Sequence, residues 1–273
     1  MIKTILTTCC LAGALTLCAG SPVAVEIEAG ACHPVLSPDG HTLLFSTVDH
    51  TGLKALDLTS GAVTVIDTEV AAGFQPVFTA DGSQVYYRTA QMTDGLMYRD
   101  VRSFSFEQGR ATRVQAHSRS NDAAAAFAGT AAAWADYRNI AVQLDGVRSE
   151  ISPVADAHSY LWASLNGDAS KIAFCEPFSG VYVCNADGTD AVKLLAKGDF
   201  VSWAGPRTIV AVVSEDDGYG ILSSQLVAVN TSTGIVRTLT PDSVLVGEAT
   251  ASLDGTVVYT DADGLMYKFN IND

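Results

Sequence analysis

The chain is short of basic residues. Only 16 Lys and Arg stand against 30 Asp and Glu in 273 residues, a formal net charge of −14, which excludes functions that rest on neutralising a phosphate backbone. Charged residues are scarce altogether, at 17% against 48% hydrophobic, so the chain is no disordered acidic tail and has enough apolar side chain for a sizeable core. Beyond the N-terminus no apolar run approaches the roughly 18 residues of a membrane-spanning helix. Catalytic and metal signatures are missing too: there is no Gly-x-Ser-x-Gly, no Cys-x-x-Cys and no pair of histidines four apart.

The first 20 residues, MIKTILTTCCLAGALTLCAG, set one lysine before an apolar stretch that ends in small residues. This is the pattern of a secretory signal peptide over 1–20, cut after Ala19 or Gly20, with 21–273 as the mature chain. Cys18 leaves a lipid anchor open, although Leu17 stands where lipoprotein signals carry Gly, Ala or Ser. The expected location is the periplasm, the cell envelope or the medium.

Three of the six cysteines (Cys9, Cys10, Cys18) belong to that leader, leaving Cys32, Cys175 and Cys184. In KIAFCEPFSGVYVC, a hairpin turning at Ser179-Gly180 would set Cys175 opposite Cys184 at a non-hydrogen-bonded pair, with Pro177 at another. The expectation is a cross-strand disulfide between Cys175 and Cys184, with two buried thiols as the alternative. Cys32 has no evident partner.

Repetition is the main positive signal. HPVLSPDGHTLLFST (33–47) returns as QPVFTADGSQVYYRT (75–89), and weaker copies follow at 160–175, 200–214 and 248–261, with a degenerate one at 122–136. Each copy is a short apolar run, an Asp-Gly-type turn, then an alternating run rich in Val, Ile, Tyr and Phe, which is the grammar of a β-hairpin. The turn glycines Gly40, Gly82, Gly129, Gly167, Gly205 and Gly255 are spaced 42, 47, 38, 38 and 50 apart, near the period of a four-stranded propeller blade. Six such blades need about 250 residues, the mature length. The expected fold is all-β: a single six-bladed β-propeller of four-stranded antiparallel blades over 21–273. After the sixth hairpin only one strand's worth of chain remains, 264–271, so PVAVEIEA (22–29) is expected to close the ring as the outer strand of blade 6. Two alternatives stay open: the alanine-rich 122–135 as a helix rather than two strands, and a β-sandwich with helical insertions.

The run Pro34-Val35-Leu36-Ser37-Pro38-Asp39-Gly40, followed by His41-Thr42-Leu43-Leu44-Phe45-Ser46, resembles the repeat of TolB-like (WD-type) six-bladed β-propellers. Their pattern runs Pro-x-Trp-Ser-Pro-Asp-Gly, two polar residues and a Leu-Ala-Phe-like strand. Pro76 to Tyr87 is a second match, with Thr79-Ala80 in place of Ser-Pro; the remaining copies keep the turn or the strand but lose the proline. The resemblance implies an exported propeller that acts through protein or ligand contacts. The N-terminal domain of TolB is not expected here, since blade 1 starts about a dozen residues after the leader. Without that domain TolB's own partners do not carry over; nor is the catalytic domain expected that follows related propellers in prolyl-oligopeptidase-like enzymes, so any catalysis would have to use the propeller alone.

Aligned on the turn glycine, His33, Gln75, Tyr160 and Glu248 fall at equivalent places at the start of the innermost strands, with Asp199 and Asp122 near the corresponding places in blades 5 and 3. These residues are expected to form a polar, acidic mouth to the channel, a candidate ligand-binding site. Ring closure makes His33 and Glu248 neighbours, open to a structural hydrogen bond, acid–base work or metal ligation. The other four histidines fall in loops or strand starts. Calcium is a weaker expectation at Asp261-Ala262-Asp263-Gly264 and Asn185-Ala186-Asp187-Gly188-Thr189-Asp190, where ordinary turns serve as well. Trp134, Trp162 and Trp203 read as core. The long connections 90–99 and 215–224, with Met92, Met97, Tyr98 and Tyr219, are candidate partner contacts. The reading is a non-enzymatic binding module for an envelope or extracellular protein or a small ligand, and not for nucleic acid. The alternative is a metal-dependent hydrolase or lyase at the acidic mouth.

Overall fold

The computed structural model describes residues 20–79, 81–118, 131–136 and 138–272; residues 1–19, within the expected leader, and most of the degenerate repeat, 119–130, lie outside them. Strand β1 (Val23–Ala24) precedes blade 1, which comprises β2 (Cys32–Leu36), β3 (Thr42–Ser46), β4 (Leu53–Asp57) and β5 (Val63–Asp67). Blade 2 is β6 (Val77–Phe78), β7 (Gln84–Thr93), β8 (Leu96–Ser105) and β9 (Arg110–Ser118). Blade 3 shows three strands among the described residues, β10 (Ala132–Asp136), β11 (Asn139–Leu144) and β12 (Val147–Ile151). Blade 4 is β13 (Leu161–Leu165), β14 (Lys171–Glu176), β15 (Gly180–Asn185) and β16 (Val192–Leu195). Blade 5 is β17 (Asp199–Trp203), β18 (Thr208–Asp216), β19 (Ile221–Asn230) and β20 (Val236–Thr238), and blade 6 is β21 (Val246–Ala251), β22 (Thr256–Asp261) and β23 (Met266–Asn270) with β1 outermost. The six antiparallel sheets form a six-bladed β-propeller. In the stretch expected to be either helix or strands, 132–136 is strand; 122–130 is not described.

Radial position explains the sequence of each strand. The second strand of a blade is covered on both faces by neighbouring blades, so it is apolar without alternation: Leu43, Leu44 and Phe45 of β3, and Ile172, Ala173, Phe174 and Cys175 of β14, are all buried. Outer strands face solvent and carry mixed sequences; Val63, Thr64 and Val65 of β5 are exposed. The hydrophobic clusters accordingly lie between blades, as where Leu44, Leu53 and Ala55 of blade 1 meet Val85, Tyr87 and Phe104 of blade 2.

The Asp-Gly-type turns share one mechanism. In blades 1, 2, 4 and 6 the carboxylate of Asp39, Asp81, Asp168 or Asp254 accepts the backbone N–H two residues on, from His41, Ser83, Ser170 or Thr256. The calcium candidates bond likewise: Asp187 accepts from Thr189, and Asp261 from the N–H groups of Asp263 and Leu265.

The expected Cys175–Cys184 pairing is overturned by the register. The hairpin spends three residues, Pro177 to Ser179, on its connection, so Glu176 pairs with Gly180, Cys175 with Val181 and Ile172 with Cys184. The register is held by the Ser179 N–H on the Glu176 carbonyl, and by Gly180 (φ 127°), where a Cβ would lie 2.1 Å from the Leu195 carbonyl oxygen. An offset of three residues puts the cysteines on opposite faces. Cys175 packs with Val201 and Ala211 of blade 5, and Cys184 with Ile140 and Val142 of blade 3. Both are free thiols, and burial pushes each up to about 12.

The ring closes as expected. Val23 pairs with Lys268 and Ala24 with Tyr267, the Val25 N–H reaches the Met266 carbonyl at 2.9 Å, and Val25 and Ile27 pack on a cluster containing Leu43, Phe45, Val258 and Met266. A chain starting at residue 30 loses those bonds and two partly buried side chains, and urea unfolding should show a loss of about 3–5 kcal/mol; unchanged stability would refute the closure. Thiol titration of unfolded, unreduced protein should detect both Cys175 and Cys184, and dithiothreitol should leave the thermal midpoint where it was.

Candidate functional site

The innermost strands share an irregularity. Register slips by one residue between Cys32 and Val35, Leu161 and Ser164, Asp199 and Ser202, and Val246 and Ala249. Within the first three bulges a bulky residue takes the left-handed region: His33 (φ 57°), Trp162 (φ 50°) and Phe200 (φ 53°). Gln75 (φ 52°), two residues before the Val77–Tyr86 pair as His33 is before Val35–Leu44, does the same in blade 2. Such residues are strained, at about 1–3 kcal/mol each, and a bulge re-aims a side chain out of the strand's alternation. Four blades thus hold the same strained position at the same end of the channel.

This geometry removes one of the expected mouth residues and refines the place of another. In blade 4 the left-handed turn position belongs to Ala169 (φ 57°), whose N–H reaches the Asn166 carbonyl as that of Gly40 (φ 73°) reaches Ser37. Counting from Gly167 therefore misplaces the frame by two, and the counterpart of His33 is Trp162, not Tyr160. Tyr160 is 1% exposed; its hydroxyl meets Ser152 at 3.1 Å and accepts the Val154 N–H at 3.2 Å, so it is core. In blade 5 the counterpart is Phe200, with Asp199 next to it. Asp199 pairs with Val212 as Cys32 pairs with Ser46, one residue earlier, and desolvation holds its carboxyl above the usual range although the residue as a whole is exposed. Asp122 lies outside the described residues.

His33 and Glu248 meet across the ring closure, and Gln75 lies further round the ring beside Arg88. The His33 ring Nδ1 lies 2.7 Å from Glu248 Oε1, and the His33 N–H donates to Oε2 at 2.6 Å. Glu248 is held in turn by the Thr260 hydroxyl, which accepts its N–H at 2.8 Å. Sequence reasoning missed the groups around this pair. The His50 ring stacks on His33 at 3.8 Å between centroids and meets Phe74 edge-on at 5.1 Å. Arg88, buried, lies 5.1 Å over the Phe74 ring and 3.5 Å from the Gln75 side-chain oxygen. On the far side Trp162 contacts Phe200 at 4.9 Å. His50 and Phe74 come from loops, and no spacing along the chain signals them. Of the other tryptophans, Trp203 is core, donating to the Ser164 carbonyl, and Trp134 is half-buried beneath Arg148. Among the described residues no group of three or more His, Cys, Asp or Glu is placed to hold a metal ion.

The electrostatics follow from contact and burial. Burial would push the Glu248 carboxyl up, but the two hydrogen bonds from His33 outweigh it and hold it below the usual carboxylate range. The bond to Glu248 raises His33 above the ordinary histidine value against the effect of burial. Burial, then the charge of His33, lowers His50.

No protein-family model matches the chain, and no curated protein matches its sequence. Solved structures do. A structural-genomics protein of unknown function from Bacteroides thetaiotaomicron superposes with a TM-score of 0.59 at 13% identity, over 92% of this chain and 72% of its own. A TolB candidate from Agrobacterium tumefaciens does so with a TM-score of 0.54 at 13% identity, over 86% and 87%. The likeness is one of fold. Among the described residues no helix is long and apolar enough to cross a membrane.

The shifts have signed consequences. The raised His33 stabilises the fold below its unfolded value of 6.5, and that contribution is lost as pH rises through its folded value. The depressed Glu248 stabilises it above 4.5 and ceases to as pH falls through its folded value; the lowered His50 costs stability as pH drops below 6.5. NMR titration should therefore find one ring midpoint above 6.5 (His33) and one below (His50), with Glu248→Gln bringing the upper one down. The same variant should lose about 1–2 kcal/mol near pH 5–6 and less above the His33 midpoint; coincident midpoints would contradict this account.

Proposed function

We propose that the protein is an exported, non-enzymatic binding module of the cell envelope, which takes a protein segment or a small ligand at the channel mouth where the innermost strands begin. The observation that carries this reading is the strained position occupied by His33, Gln75, Trp162 and Phe200. Local strain persists where the surroundings enforce it and function uses it, and here the backbone is constant while the side chains differ. The mouth that results has a polar arc (His33, Glu248, Gln75) and an aromatic arc (Trp162, Phe200). Such a mixture suits ligands with an apolar face and hydrogen-bonding edges, such as saccharides or peptide side chains.

Glu248 commits both carboxylate oxygens to His33. That arrangement holds the first and last blades together, whereas a hydrolase or lyase needs the carboxylate free for substrate, metal or proton. The leader over 1–20 and the resemblance of the repeat to TolB-like propellers support export.

A thermal-unfolding screen of the full chain tests the reading, with calcium, manganese, zinc, saccharides and peptides as probes. A ligand at a hundred times its Kd adds about 2.7 kcal/mol to the folded state. The expected result is a saccharide or peptide that raises the midpoint, with the shift lost in Trp162→Ala and His33→Ala. A metal shift abolished by Glu248→Ala would replace this reading with the metal-dependent enzyme.

A further inference from the structure

Among the described residues, blades 2 and 5 carry second and third strands that run well past the ring. In blade 1 the second strand ends at Ser46, the partner of Cys32; in blade 4 it ends one residue beyond the corresponding Cys175, and in blade 6 at the corresponding Asp261. In blade 2 the corresponding residue is Arg88, and β7 continues to Thr93; in blade 5 it is Val212, and β18 continues to Asp216. Both hairpins therefore project four or five residues further, about 14–17 Å at strand rise. Both do so on the face where the innermost strands begin, because a second strand ends beside the start of the first. Blades 2 and 5 are three apart in a ring of six, so the hairpins stand on opposite sides of the mouth.

Their tips are apolar without structural cause. Met92, Leu96 and Met97 in blade 2, and Tyr219, Ile221 and Leu222 in blade 5, are each between 41% and 100% exposed. Met and Tyr are the residue types that anchor interfaces. The blade 5 tip is also acidic, with Glu215, Asp216 and Asp217; Lys197 offers one counter-charge, 2.5 Å from Glu215. On a chain of net charge −14, that disfavours a second copy of the same face and an anionic bilayer alike, and favours a cationic partner.

We infer that the two hairpins form a two-point docking surface for a basic protein segment with apolar anchors, laid across the mouth from blade 2 to blade 5. This rests on the reading of the protein as a binding module, but on different residues from the mouth itself.

The test selects peptides from a random displayed library on the full chain at physiological salt. Selected peptides are then measured against Met92→Ser/Met97→Ser, Tyr219→Ser/Leu222→Ser, Glu248→Gln and Val63→Ser. The tip residues are exposed, so the tip variants should keep the wild-type thermal midpoint, which is measured alongside. The expected result is enrichment of Lys- or Arg-rich peptides bearing aromatic or aliphatic residues. Each tip variant should weaken them about tenfold or more, and Val63→Ser, on the exposed outer strand of blade 1, by less than about twofold. Failure to enrich any peptide, or peptides indifferent to both tip variants, overturns the inference. Peptides lost only in Glu248→Gln overturn it while leaving the mouth reading intact. Flotation with phosphatidylglycerol vesicles that the tip variants abolish would overturn it in favour of a membrane contact.

Discussion

The structure depends on a single seam. A ring of blades has no core at its centre; its apolar surface is buried between neighbours, so every interface needs the ring to be complete. The seam between blade 6 and blade 1 is the one that chain connectivity does not hold, and bonds close it from axis to rim. Nearest the axis His33 meets Glu248; further along the same strands the Leu36 N–H donates to the Thr250 hydroxyl. At the turn end the Leu253 N–H reaches the Pro38 carbonyl, and the Lys268 ammonium caps the Leu58 carbonyl. Outermost, β1 completes the sheet of the last blade. Gly40 fits there because a Cβ would lie 2.8 Å from the Asp254 carboxylate.

The candidate site is built on that seam, which couples function to closure. His33 and Glu248 belong to the two ends of the ring, and their contact is both a latch and part of the mouth. His50 and Phe74 extend it toward blade 2, where Arg88 and Gln75 continue the polar arc. A ligand that engaged this arc would touch three blades at once and would therefore report on, and reinforce, the integrity of the whole ring.

The architecture was legible because the repeat obeys strict local rules. A second strand pressed on both faces reads as an unbroken apolar run, and an Asp-Gly turn reads as itself. The closing strand was legible from the count, since one outer strand was missing at one end and spare at the other. The neighbourhood of His33 and Glu248 followed from closure alone. What was not legible turned on single residues in turns. Ala169 takes a left-handed conformation that glycine takes elsewhere, which displaced the blade 4 frame and put Tyr160 where Trp162 belongs. A three-residue connection in place of a two-residue turn moved Cys175 and Cys184 to opposite faces. The loop residues His50 and Phe74 obey no period, so only the fold could bring them to the site.

The left-handed residue of the innermost strand has a consequence for how such a protein changes over time. The conformation is imposed by the bulge and by the blades on either side, and His, Gln, Trp and Phe all occupy it in one molecule. The position is thus a socket that accepts side chains of unlike chemistry while the barrel of blades around it stays the same. Replacing one of them alters the mouth and a contact between neighbouring blades together, as His33 with Glu248 and Trp162 with Phe200 show, so the chemistry of the socket and the hold between blades change in step.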